Sequence, residues 1–467
     1  MNIGSCSRSL RRRGLWLAVL ALGCVPGGLL GDERRVAFPG AEGFGAFARG
    51  GRGGDVYRVT TLEDSGPGSL RDGIATASGP RTVVFEVSGT IELGSPLVVR
   101  RPFLTIAGQT APGDGIALKG WGLEIRGTHD VIVRFIRLRP GDAACKQGFH
   151  GDCLTVRDAT DVMIDHVSMS WSVDEAVSIR GSDRITLQWC FITESLDASC
   201  HPDGPHSCGS LLGPNPHGAL TIHHCLFAHH VRRSPKPTSS GGTMRFQFEN
   251  NVVYDWRDIA GYTNTAEYGE DLLVRYVGNY VIAGPSTRVD PSSTIEGRGE
   301  RGPAGIHEVA FRGESPDVRI YQAGNVIDSN RDKVRNGRDT GWGMFAGSYR
   351  RLETLADFPE LRTSDAETAC AEVLAGAGAS RSRDAADRRL ARQVGDQTGG
   401  IIDSPADVGG WPVLGPAPAP ADADHDGMAD EWERLHGLNP GNPADCNADI
   451  ERNGSTALEK YIDSLVR

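Results

Sequence analysis

Aromatic residues are scarce, at 7% of the 467-residue chain. No apolar run reaches the roughly 20 residues that a bilayer-spanning helix requires; the run from Leu15 to Leu22 is short and is followed by Pro26 and glycines. A membrane channel is therefore excluded. Positive charge is also short, because 49 Lys and Arg face 60 Asp and Glu for a formal net charge of −11. That balance argues against a nucleic-acid binder. The three-residue glycine period of collagen is missing as well. What remains is 39% hydrophobic and 23% charged residues, enough for a substantial core, which excludes a disordered chain and a small disulfide scaffold. Glycine stands out: 61 Gly and 26 Pro together are roughly a fifth of the chain, so many turns and few long helices are expected.

Residues 1–31 combine Arg8, Arg11, Arg12 and Arg13 with the apolar run and a small-residue end before Asp32, which reads as a signal peptide. The protein is expected to be secreted, periplasmic or held at the cell surface. Arg12-Arg13-Gly14-Leu15 allows a twin-arginine route, and Cys24 allows a lipid anchor. Removal of this segment takes four arginines and no acids, moving the net charge from −11 to −15. Such a chain holds a polyanion only if metal ions bridge the two. Eight cysteines remain, and an even number in an exported chain favours disulfides. Cys145 with Cys153, and Cys200 with Cys208, are the close pairs, although connectivity stays open.

From about residue 80 to 330 one rhythm repeats: an apolar β-rich run, a polar or asparagine-bearing corner, then a second apolar run. DVMIDHVSMSW from Asp161, DRITLQWCFIT from Asp183, ALTIHHCLFAHH from Ala219, RFQFENNVVYDW from Arg245 and VRYVGNYVIAG from Val274 share it. Starts spaced roughly 22 to 36 residues apart fit the coils of a solenoid. No helix of ordinary length fits between them. The expected fold is all-β, a right-handed parallel β-helix over residues 32–350, with glycine-rich corners; a β-sandwich or propeller is the alternative. Residues 351–421 read as a helical segment and proline-rich linker, with Ser364 as an N-cap and Glu367 completing a capping box. Residues 422–467 form a small acidic tail.

That tail begins DADHDGMADEWE, with carboxylates at loop positions one, three, five and nine, glycine at six and glutamate at twelve, the spacing of a Ca²⁺ loop. Asp422, Asp424, Asp426, Asp430 and Glu433 are its candidate ligands, with the Met428 carbonyl; a solvated acidic loop is the plainer reading. A half-matching copy from Asp449 places Lys460 at the twelfth position. In the solenoid, Asp152, then Asp165 and His166, then Asp174 and Glu175, then Arg232 and Arg233 fall on neighbouring coils. Stacking can gather them into a groove with acids at one end and guanidinium groups at the other. Each also has a structural explanation as a corner or surface residue.

These residues carry a resemblance. AFPGAEGFGAFARGGRGGDVYRVTTLEDSGPGSLRDGI, Ala37 to Ile74, resembles the opening segment of the pectate lyase family of polysaccharide lyases. VMIDHVSMSW, Val162 to Trp171, is similar to that family's Trp-Ile-Asp-His motif with Met163 for Trp. RRSP at Arg232 to Pro235 and FENNVVY at Phe248 to Tyr254 resemble its Arg-x-Pro motif and the turn after it. The resemblance implies cleavage of polygalacturonate, or a related acidic plant or algal polysaccharide, by Ca²⁺-assisted β-elimination in a monomer. Arg233 is then the base, although a free guanidinium keeps its proton above about pH 12. Arg232, and Lys236 or Arg245 in place of an arginine the family carries after the proline, are the substrate-binding cations. Asp152 and Asp174 match Ca²⁺ ligands, and Glu175 takes over coordination lost elsewhere. The departures are His150 and Ser178 where the family has acids, and Cys208 where a lysine often lies. A non-catalytic polysaccharide-binding β-helix and a β-helix glycoside hydrolase are the rival functions; the latter needs paired carboxylates about 5 to 9.5 Å apart.

Overall fold

The computed structural model describes residues 35–288 and 306–466. The expected signal peptide lies outside them. Among the described residues, no helix is long and apolar enough to cross a membrane.

Each β-rich run breaks at its corner residue and supplies strands to two different sheets. Thr160–Asp165 joins one sheet and Ser168–Ser170 the next, with His166 between them. A third strand, Glu175–Arg180, completes the coil before Asp183–Gln188 returns to the first sheet. Among the described residues, repetition builds three sheets, of twelve, nine and six strands, whose neighbours pair in parallel one coil apart. This is the parallel β-helix of the sequence reading. The register stacks like on like: Val131, Val162, Ile185, Leu220, Phe246, Val274 and Ile320 form one continuous row on the twelve-stranded sheet. All seven are at most 1% exposed. Burial of each side chain of this size stabilises the fold by about 1.5–3 kcal/mol, which is why the row runs the length of the solenoid.

The corners between the twelve- and nine-stranded sheets depart from the glycine expectation. Phe135, His166, Trp189, His224 and Asn250 occupy them with φ between 51° and 54°. Left-handed backbone costs a side chain energy, and stacking offsets it: the rings of Phe135, His166, Trp189 and His224 lie face to face at 4.5, 5.9 and 4.3 Å between successive centroids. Beside them Asn251, Asn279 and Asn325 form a buried ladder. Asn279 Oδ1 accepts from Asn251 N at 2.9 Å, and Asn279 Nδ2 donates to the Phe248 carbonyl at 3.0 Å. Asn279→Ala orphans the Asn251 and Phe248 backbone groups, each costing about 1–3 kcal/mol. A clearly lowered thermal midpoint is expected, and an unchanged one would remove the ladder from the stabilising contacts.

The segment after residue 351 lies against the nine-stranded sheet. Helix Ala366–Gly376 is capped by Asp365, one residue beyond the expected Ser364, because the Asp365 carboxylate accepts from Thr368 N. Helix Ala385–Asp396 follows, and its Asp384 and Asp387 pair with the buried Arg139. The proline-rich stretch is clipped to a coil by Gly415, which exchanges hydrogen bonds with Asp114. The tail packs its Met428, Cys446, Leu458 and Ile462 over Val84 and Ala107 of the first coils.

Candidate functional site

Strand Glu175–Arg180 lies in the six-stranded sheet between Leu154–Arg157 and Cys208–Leu212, with Thr155 opposite Ser178 and Glu175 opposite Cys208. Cys208 in turn bridges to Arg232, and Leu211 pairs with Lys236. One edge of this sheet therefore carries Asp152, Asp174 with Glu175, Cys208, and Arg232 to Lys236 on successive coils, about one strand spacing of 4.8 Å apart.

The carboxylates of Asp152, Asp174 and Glu175 converge, with one oxygen from each within 4.8 Å of the others. Glu175 is 1% exposed and pairs with Arg233 Nη1. Ser178 donates to Glu175 Oε2 at 3.3 Å, and Thr155 donates to Asp152 Oδ2 at 2.7 Å. Arg233 sits at φ 66°, and its side chain keeps 17% exposure. Tyr262 packs under this cationic strip, with Lys236 Nζ 5.4 Å from its ring centroid. Asp152, Asp174, Glu175, Arg232, Arg233 and Lys236 are thus brought to one edge.

Arg245 is not. It is the second residue of the strand Met244–Glu249 of the twelve-stranded sheet, opposite Ala219, where its guanidinium covers the Phe44 ring at 4.9 Å and reaches the Asp357 carbonyl. The corner between sheets places it on another face, away from the acid trio, where it packs on Phe44. Asp165 is likewise elsewhere: Arg134 and Gln188 each donate to it at 2.8 Å in the twelve-stranded sheet.

Two histidines that the sequence reading passed over join the edge. Cys145 is bonded to Cys200, whereas Cys153 and Cys208 are buried free thiols, so neither pairing of sequence neighbours forms. Coil stacking, not chain distance, brings the two sulfurs together. The bond pins the loop that follows, and His206 Nε2 reaches Asp174 Oδ1 at 3.0 Å while His201 Nε2 lies 3.9 Å from Asp174 Oδ2. Burial acts to raise the Asp174 carboxyl, but the His206 contact and charge outweigh it and the group lies below the ordinary range. Burial and the Asp174 charge push Asp152 up to about 7.

The tail holds a second acidic centre. Asp422 organises the loop by accepting from the N–H groups of His425, Asp426 and Gly427. Gly427, at position six, has φ 89° and lies where an added Cβ would meet Val56 at 2.9 Å, so only glycine fits. Both oxygens of Asp424 and of Glu433, one of Asp426 and one of Asp445 are buried with no hydrogen-bond partner. Oxygens of Asp426, Glu433 and Asp445 lie within 4.8 Å of one another, as do those of Asp422, Asp424 and Asp426. Unpartnered buried carboxylates at such spacing fit a hard cation. Asp430 is engaged otherwise in this structure, its oxygens accepting from Ala423 N at 2.8 Å and Arg434 at 3.0 Å. Asp445, which lies outside the loop in sequence, converges with Asp426 and Glu433 instead. In the half-matching copy Lys460 Nζ meets Glu451 at 2.6 Å, putting an ammonium group where the twelfth ligand would stand.

Burial and neighbouring carboxylates also push Asp426 and Glu433 up to about 7. A carboxyl raised in the folded state contributes stability that is whole below the ordinary carboxylate range and is lost as pH rises through its folded pKa. Asp152, Asp426 and Glu433 should therefore lower the thermal midpoint of chelated protein between about pH 5 and pH 8. Saturating Ca²⁺, which engages the ionised forms, should remove the decline. A chelated midpoint that climbs over this range would contradict the reading.

No family model matches the chain. It is 36% identical over 439 residues to the probable pectate lyase C of Aspergillus flavus, an alignment covering 92% of this chain and 94% of that protein. With the probable pectate lyase C of Aspergillus terreus the identity is 37% over 437 residues, again 92% of this chain and 94% of the relative. Among solved structures, the major cedar pollen allergen jun a 1 superposes with a TM-score of 0.52 at 20% identity, covering 72% of this chain and 92% of that one. That likeness concerns the fold.

Proposed function

The chain belongs to the pectate lyase family, and from that premise we propose that it cleaves pectate by Ca²⁺-assisted β-elimination with Arg233 as the base. The observation that supports this reading is the juxtaposition of the Arg233 guanidinium with the carboxylates of Asp152, Asp174 and Glu175 at one sheet edge. Those three acids would hold the ion, which supplies charge neutralisation for the uronate carboxylate next to the proton to be removed. Arg233 takes the C5 proton, the electron pair forms the C4–C5 double bond, and the C4–O bond breaks with its electrons going to the leaving oxygen, which takes a proton from water. Glu175 is shared between the guanidinium and the acid trio. Its engagement in the trio takes from Arg233 the partner that favours the charged form. Arg232 and Lys236, on the same edge, bind flanking uronate carboxylates. The tail centre of Asp422, Asp424, Asp426, Glu433 and Asp445 takes a structural Ca²⁺. Export through residues 1–31 places the enzyme with its polymeric substrate.

Product chemistry tests the reading. Mass analysis of a polygalacturonate digest should find fragments with an unsaturated end, each lacking the water that hydrolysis adds. Saturated ends would make the protein a glycoside hydrolase, and an undegraded polymer that the protein retains would make it a binding module.

A further inference from the structure

The loop pinned by Cys200 adds donors that suit a different ion. Ca²⁺ takes six to eight oxygens, yet at this edge His201 and His206 both turn their Nε2 atoms onto the Asp174 carboxylate. Their rings stack at 3.9 Å between centroids and 14° between planes, with both Nε2 atoms on the side of Asp174. His206 Nε2 lies 3.0 Å from Asp174 Oδ1, an oxygen that is buried with no hydrogen-bond partner. The His201 contact at 3.9 Å is too long for a hydrogen bond; that ring is held by Asp203 N, which donates to its Nδ1 at 3.2 Å, and by stacking on His206, which leaves Nε2 facing the Asp174 carboxylate. One donor atom from each of the three residues lies within 4.8 Å of the others. Donors around a tetrahedral ion with bonds of 2.0–2.1 Å stand about 3.3 Å apart; His206 Nε2 lies 3.0 Å from Asp174 Oδ1 and His201 Nε2 3.9 Å from Asp174 Oδ2, so small side-chain shifts bring one oxygen and both nitrogens to that spacing.

The substitutions around the site lean the same way. His150 and Ser178 stand where the resemblance expects hard carboxylates, and Cys208 stands where it expects an ammonium. The Cys208 thiol, His206 and Glu175 also converge within 4.8 Å. Nitrogen and sulfur donors thus stand beside the carboxylates at this edge. Nitrogen donors mixed with carboxylate suit Zn²⁺, Co²⁺ or Ni²⁺ over Ca²⁺.

We propose that Asp174, His201 and His206 form a site for a borderline divalent metal of the Zn²⁺ class, adjoining the all-oxygen position of Asp152, Asp174 and Glu175. Three protein donors leave the remaining coordination positions to water or to an oxygen of a bound uronate, as in metal sites open to a ligand. The Asp174 carboxylate belongs to both sets, so occupancy of one position affects the other.

Co²⁺ reports the site without any need for turnover, so the result is separable from failure of the lyase reading. Titration of the chelated, full-length protein with Co²⁺ at a fixed Ca²⁺ concentration should give the intense visible bands of a low-coordinate ion, saturating at one equivalent and abolished by Zn²⁺. His201→Ala and His206→Ala lie on the surface loop, and each should weaken binding by more than about tenfold, a loss already reached when only a ligand's supporting partner is removed. Asp424→Asn, in the all-oxygen tail, should leave the bands intact. Only the pale spectrum of a six-coordinate ion, bands that survive both histidine variants, or bands that excess Ca²⁺ removes as readily as Zn²⁺ would each overturn the proposal.

Discussion

Arg233→Ala, assayed on polygalacturonate at saturating Ca²⁺, is expected to lose about 10²–10⁴ of its turnover, the usual contribution of a positioned proton acceptor. The alanine variant alone is ambiguous, because Arg233 also neutralises Glu175, which is 1% exposed. Removal of one partner of a buried pair costs about 3–5 kcal/mol, so part of any loss could come from a disturbed edge. Arg233→Lys separates the two roles. Lysine preserves a positive charge for Glu175 and should restore the thermal midpoint, but an ammonium differs in reach, geometry and basicity, and turnover should stay low. A lysine variant that regains both stability and rate would show that Arg233 acts only as a counter-charge. An alanine variant that keeps most activity would remove it as the base.

The second large effect is expected in the tail. Asp424→Asn with Glu433→Gln should abolish most of the rise in thermal midpoint that Ca²⁺ gives the unaltered protein, a rise worth about 2.7 kcal/mol when the ion is at a hundred times its dissociation constant. Without the ion the same variant should match or exceed the parent, because it removes buried charges that have no partner in the ion-free chain. That inversion distinguishes a metal site from ordinary packing, where loss of a contact destabilises under every condition. Turnover should be spared, since the tail lies over Val84 and Ala107 of the first coils and the acid trio lies on the edge of the six-stranded sheet. A full Ca²⁺ response in the variant, or a folded variant without turnover, would contradict this assignment.

The solenoid was legible because its unit repeats: an apolar run, a corner and a second run recur often enough for the pattern to show through loops of different length. The corners were less legible. Sequence signals for left-handed backbone are Gly and Asn, but Phe135, His166, Trp189 and His224 adopt it where each ring stacks on its neighbour. Only the stacked coils reveal that compensation. The strip Arg232, Arg233 and Lys236 could be placed because it is continuous in sequence with a motif. Arg245 could not, because a few residues carry the chain around a corner to another sheet. His201 and His206 had one available signal, two histidines just after a cysteine in an insertion that follows an acidic pair. Asp445 had less: it comes twelve residues after Glu433 and reaches the loop only because the chain folds back.

The most direct test of the central claim is continuous ultraviolet absorbance during incubation with polygalacturonate, first with chelator and then after Ca²⁺ is added back. β-Elimination conjugates the new C4–C5 double bond with the C6 carboxylate, so absorbance should stay flat in chelator and climb steadily on addition of Ca²⁺, with no climb for Arg233→Ala. Chain cleavage without new absorbance, or absorbance that rises equally for the Arg233→Ala protein, would contradict Ca²⁺-assisted elimination with Arg233 as the base.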